Sequence, residues 1–215
     1  MKNIITVLAA ALFLYCTVSY AEELKPVQLL QPQMESGKPL MQALKDRKSV
    51  RSFLPKELPL QVISDLLWAA NGINRLDSGK RTAPTAQNLQ EIDIYVVTAE
   101  GAYLYDAKAN VLAPIAAGDL RKSTGTQEFV KNAPVNLVFV ADMAKMAGML
   151  DQDAIFYAAT DTGFISENVY LYCSSAGLAT VVRGLIDKAE LSKAMKLRPE
   201  QNIILAQTVG YPAEE

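Results

Sequence analysis

The chain has 215 residues, half of them hydrophobic and a fifth charged, which suits one domain or two small ones and excludes a disordered, collagen-like or low-complexity protein. Twenty-one basic residues stand against 23 acidic ones, so no basic excess points to nucleic acid. Histidine is absent and Cys16 and Cys173 are the only cysteines, which removes Ser-His-Asp catalysis, Cys-His catalysis and His- or Cys-cluster metal sites; an enzyme of this composition draws its chemistry from a cofactor.

The first residues read as an address. Lys2 is followed by the uncharged, mostly apolar run Ile4 to Val18, then by Ser19-Tyr20-Ala21 with small residues at its first and third positions. This pattern predicts a secretory signal over residues 1–21, cut after Ala21, and hence a periplasmic or secreted protein. The run is short for a membrane span, which needs about 20 apolar residues. A retained anchor is the alternative. A lipoprotein reading through Cys16 is disfavoured by the bulky Tyr15 before it. Cleavage leaves Cys173 as the one cysteine, so no intramolecular disulfide is expected.

Residues 22–39 carry Pro26, Pro32, Gly37 and Pro39 among polar residues and read as an extended lead-in. The main domain is then expected over residues 40–215. Leu40 to Lys45 is a short helix candidate. Leu60 to Ala70 has helical apolar spacing at Leu60, Ile63, Leu66, Leu67 and Ala70, with Gly72 placed to stop it. Residues 74–90 have loop composition. Ile92 to Thr98 is a strand by β-branched content, and Ala102 to Tyr105 is its hairpin partner. Val135 to Val140 is a buried-strand candidate. Asp153 to Ala176 is a long helix closed by Gly177. Trp68 and the tyrosines of that helix are expected in the core. Thr180 to Val182 is short and β-like, Asp187 to Leu197 is a helix capped by Asp187, and Asn202 to Val209 is the last strand. Strands and helices do not alternate strictly, so the fold class is α+β, not a doubly wound parallel sheet.

Three segments could carry chemistry. Arg47-Lys48-Ser49-Val50-Arg51-Ser52-Phe53 puts three cations and two hydroxyls together, a set that can clasp a phosphate or form a solvated basic turn. Arg81 to Gln90 is a small-residue polar loop fixed by Pro84, open to a flat ring or an ordinary strand entry. Gly177 to Gly184 ends a helix and opens a short strand whose Gly184 permits close backbone approach. Cys173 sits in an apolar helix with nothing to activate it and is expected as packing. No Walker A or Gly-x-Gly-x-x-Gly pattern occurs.

In this order the segments resemble the nitroreductase family of flavoproteins. Arg47 to Phe53 is similar to its Arg-Arg-Ser-x-Arg-x-Phe opening, Arg81 to Asn88 to its Ala-Pro-Ser-x-x-Asn loop, Asp161 to Leu178 to its central helix and Gly-Leu ending, and Val209 to Pro212 to its last strand. The spelling is nearest to the branch that includes the thiazole/oxazole-forming dehydrogenases. The resemblance implies an FMN-dependent oxidoreductase with a central, mostly antiparallel sheet flanked by helices, paired as an intertwined homodimer. It implies a small-molecule electron donor and acceptor that take turns at the flavin; the signal reading adds no membrane contact after cleavage, and the composition no metal. By position, Arg47 and Ser49 would hold the FMN phosphate with Lys48 nearby, and Arg51 would approach the pyrimidine edge. Pro84, Thr85, Ala86 and Asn88 would line the ring from the other subunit. The backbone of Arg183 and Gly184 would face flavin N5, and Asn71 is a further candidate. Thr85 and Ala86 stand where serines are common, and no cation follows Pro212 where many members carry one. A catalytically silent relative that binds a ligand or partner is the alternative.

Overall fold

The computed structural model describes residues 23–213, so the signal expected over residues 1–21 lies outside the described residues. Its framework is a sheet of seven strands: β1 (Val27–Gln28), β4 (Ile92–Val97), β5 (Gly101–Asp106), β6 (Val111–Ala117), β7 (Val135–Asp142), β8 (Ala179–Arg183) and β9 (Gln201–Gly210). Their order across the sheet is β1-β6-β5-β4-β7-β9-β8, with every neighbouring pair antiparallel. Between β1 and β4 in the chain, a separate small ribbon joins β2 (Ile73–Arg75) to β3 (Lys80–Arg81), inside the segment expected as loop. Four α-helices complete the described chain: α1 (Leu40–Asp46), α2 (Leu60–Asn71), α3 (Asp151–Ala176) and α4 (Lys188–Ala194). The α+β class and the mostly antiparallel sheet hold.

The sheet is a middle layer, and residue alternation shows why. Ile92, Ile94 and Val96 of β4, with Leu137, Phe139 and Ala141 of β7, point into the larger core beneath α2 and α3. Tyr95 and Val97, with Val138 and Val140, point into a second core closed by Leu191 and Met195 on the α4 side. Successive side chains of a strand face opposite ways, so a strand covered on both faces shows an unbroken apolar run. That is the run seen at Val135 to Val140. Cys173 is fully buried in the larger core, and burial pushes its thiol well above the usual range, as packing requires.

β6 escapes the sequence pattern because Pro114 lies inside it. Proline cannot donate to a ladder and is confined to edges and irregularities. Here the β5–β6 register shifts where Ala102 pairs with Ala116 and Tyr103 with Pro114. Two aromatic residues also differ from expectation: Trp68 is half-buried, donating Nε1–H to the Ile73 carbonyl at 3.3 Å, and Tyr157 is exposed. Both lie on the outer sides of helices whose inner sides are filled by smaller residues.

The lead-in is strapped to the domain. Val27 and Gln28 pair with Leu112 and Val111, and Leu29 is buried. The Leu30 amide donates to Ser64 Oγ and the Gln33 amide to Asp65 Oδ1, both at 2.9 Å, so two buried polar groups of α2 are satisfied by this segment.

Candidate functional site

The basic segment leaves α1 at Arg47 in extended conformation and docks through the Val50 amide, which donates to the Thr180 carbonyl at 3.0 Å. Phe53 then bridges to Pro212 and is buried against Phe129, which anchors the far end. The anchor tyrosine is Tyr170 of α3. Its ring lies 5.3 Å beneath the Arg47 guanidinium, and its hydroxyl is 2.8 Å from Ser49 Oγ. The Val182 amide donates to the same tyrosine oxygen at 3.0 Å. The phenol oxygen thus joins the basic segment to β8, with either hydroxyl of the Ser49–Tyr170 pair able to donate. Lys48 and Arg51 are exposed, and among the described residues none of Arg47, Lys48 and Arg51 is in an ion pair. Lys48 and Val50, on the alternate face of the segment, line a cavity of about 490 Å³ with Lys38, Tyr170, Thr180 and Pro212. Lys38 reaches it from the lead-in and is paired to Asp46 at 2.8 Å.

The second predicted segment is a tight loop built on side chains. Gln87, Asn88 and Gln90 have φ of 54°, 57° and 50°, the left-handed region that non-glycine residues seldom occupy. Asp161 of α3, itself buried, accepts the Ala86 amide at 2.8 Å. Thr85 Oγ1 accepts the Gln90 amide at 3.1 Å. Gln90 Oε1 accepts from Arg81 Nε at 2.9 Å, and Arg81 Nη1 donates to the Asn71 carbonyl at 2.9 Å. Burial lowers the Arg81 pKa. Pro84 and Asn88 stay exposed, and Thr85 and Ala86 are half-exposed. Asn71 is buried beneath the loop, not open to a ligand.

Arg183 ends β8 with its side chain turned inward and 6% exposed. Nε donates to Thr208 Oγ1 at 3.0 Å, Nη2 to Thr124 Oγ1 at 2.9 Å and Asn136 Oδ1 at 2.8 Å, and Nη1 to the Thr124 carbonyl. All its partners are neutral oxygens, and burial pushes its pKa down to about 10. A Cβ on Gly125 would collide with this guanidinium, which explains the glycine there. The side chain therefore supports the sheet, and only its main chain and exposed Gly184 can face a ligand. A Cβ built on Gly184 would meet only the tip of Leu205, at 3.6 Å.

α3 thus holds both predicted segments, Tyr170 carrying one and Asp161 the other. Nine residues of helix separate them, about 13 Å. No hydrogen bond among the described residues joins residues 47–51 to residues 84–88. Sequence reasoning missed Tyr170, Asp161 and Gln90 as supports. Their signal was present only as position, since Tyr170 reads as core and Asp161 only as part of the central helix until the loops are placed against them.

Residues 44–211 match the model of the nitroreductase family. A solved nitroreductase-type structure from Ralstonia eutropha is 42% identical, with a TM-score of 0.85 over 92% of this chain and 93% of that one. A curated nitroreductase-type protein of Methanocaldococcus jannaschii is 27% identical across 87% of this chain and 98% of its own length. A structure from Desulfovibrio desulfuricans, described as a nitroreductase in complex with FMN, shares the fold at TM-score 0.60 and 21% identity, over 83% of this chain and 89% of that one. With the sheet order, the central helix and both loop motifs in place, the chain belongs to the nitroreductase family, a family of flavin oxidoreductases.

Proposed function

We propose that this protein is an exported, homodimeric, FMN-dependent oxidoreductase. The observation that carries the cofactor is the extended segment from Arg47 to Arg51. It presents three cations without ion-pair partners among the described residues and an exposed serine hydroxyl held against Tyr170, a set that fits a doubly charged phosphate monoester. Arg47 and Ser49 would hold the phosphate, with Lys48 beside them. Arg51 would lie at the pyrimidine edge, where a cation favours the reduced, anionic ring. Pro84, Thr85, Ala86 and Asn88 form a rigid, small-residue rim suited to the face of a flat ring, and the main chain at Arg183 and Gly184 would close its other edge. Bound FMN would supply the redox chemistry between a small-molecule electron donor and an acceptor, in separate half-reactions. The protein's own part is to grip the phosphate, flatten the slot and exclude water.

Pairing is supported by the apolar surface. Ile155, Phe156 and Phe164 of α3 are exposed by 62%, 64% and 45%, and Leu40 and Met41 of α1 by 62% and 76%. A second copy would cover these faces, and the family resemblance supports a loop at residues 84–88 that serves the partner's site. Export rests on the signal pattern of residues 1–21, and no described helix is long and apolar enough to cross a membrane. The test is anaerobic spectroscopy of the FMN-loaded protein. Flavin absorbance should bleach on adding a reduced donor and return on adding a quinone or nitroaromatic acceptor. Bound flavin that neither nicotinamide nor chemical donors reduce would overturn the enzymatic reading and favour a silent binder.

A further inference from the structure

Directly after the left-handed loop comes Glu91, fully buried, with neither carboxyl oxygen bonded to any described group. Asp161 of α3 is buried too, and its carboxyl is close enough to act on that of Glu91. Two carboxylates have no proton to bridge them, whereas an acid and a carboxylate share one well. Asp161 is also the group that takes the Ala86 amide and so fixes the first turn of the loop. Three non-glycine residues of that loop sit at positive φ, a conformation that persists only where the surroundings impose it.

We propose that Glu91 and Asp161 hold one proton between them on the acid side of neutrality, and that this proton locks the loop of residues 85–90 in its ligand-ready shape. Glu91 is then a positioning residue for whatever the loop binds. The link to flavin rests on the function proposed above; the lock itself does not.

The surrounding charges are consistent with one shared proton. Burial first, then the Asp161 charge, push the Glu91 carboxyl up to about 7, against the pull of its own backbone amide. Lys145, from the turn after β7, pulls the other way, but its ammonium is bonded to the Gln90 carbonyl and to Asp93 of β4. Asp142 of β7 meets Glu91 through the main chain alone, and its carboxylate is paired with Arg198. A group whose pKa is raised by folding stabilises the folded state at low pH and loses that contribution as pH rises through the folded value. Here the loss falls between the ordinary glutamate range and about 7. Above it, two charges confront each other in a dry site and the Asp161 hold on Ala86 slackens.

The experiment compares wild type, Glu91→Gln and Asp161→Asn at about pH 6 and about pH 8, which bracket the transition. Flavin-free protein should show an infrared band of a protonated carboxyl at the lower pH, absent from Glu91→Gln. In Asp161→Asn the new side-chain oxygen would still accept from Ala86 while the charge beside Glu91 is gone, so the band should fade at a lower pH than in wild type. Wild type should lose stability to urea and hydrogen-exchange protection at Ala86 across the interval, beyond the intrinsic rate change, while Glu91→Gln keeps both. Flavin affinity should fall about tenfold across the interval in wild type and stay level in Glu91→Gln, one pKa unit being worth that factor. Equal pH slopes in wild type and Glu91→Gln, or an acid band that survives in Glu91→Gln, would overturn the lock. Wild type that shows the band and the protection change, yet binds no flavin at either pH, would uphold the lock and overturn the flavin reading alone.

Discussion

At the residue scale, the site is governed by supports more than by contacts. Arg47 and Ser49 were legible because basic and hydroxyl residues in a short run suit a phosphate. What orients them, Tyr170, was not legible, because a tyrosine in an apolar helix is spelled the same whether its hydroxyl is idle or engaged. Arg47→Ala removes a charge-assisted contact of about 1.5–3 kcal/mol, so FMN should bind roughly ten- to a hundredfold more weakly by fluorescence titration. Tyr170→Phe should weaken binding by a smaller factor, since it frees Ser49 Oγ and leaves the Val182 amide without its acceptor. Arg183 shows the opposite limit of sequence reading. Its backbone was placed near the flavin by motif, and nothing in the motif told that its side chain is sealed among Thr124, Asn136 and Thr208. Asn136→Ala takes a carbonyl oxygen from a buried cation and should destabilise the protein by about 3 kcal/mol in urea titrations.

At the element scale, periodicity revealed the helices and the central strands because each has one or two well-filled faces. α2 and α3 were legible to within a residue or two of their ends, and Asp187 caps α4 by accepting the Glu190 amide at 3.0 Å. β6 and the β2–β3 ribbon were not legible, since a proline in one and two-to-three-residue strands in the other erase alternation. α3 is the organising element. Its inner face fills the larger core, its Asp161 and Tyr170 carry the two loops, and its end is set by Gly177 at φ 71°. A Cβ at Gly177 meets nothing within 4 Å, so Gly177→Ala isolates the backbone cost, about 1 kcal/mol by thermal or urea unfolding. A much larger loss would mean that the turn into β8 depends on more than the left-handed residue.

At the scale of the whole molecule, an apolar outer face on α3 and the separation of the two loops along that helix point to the same arrangement, a site shared between two copies. Phe156→Asp places a charge at the centre of that face. It should convert the protein to a monomer by sedimentation, with folding unchanged because the residue is exposed. It should also cost flavin retention if each ring is lined from the partner. The central claim is that this chain holds FMN, and one measurement meets it most directly. Purified protein is incubated with FMN, desalted, and its absorbance spectrum recorded alongside that of Arg47→Ala. Oxidised-flavin bands at one FMN per chain are expected in wild type, with their loss in the variant. Protein absorbance alone in wild type, or equal flavin in both, would contradict the claim.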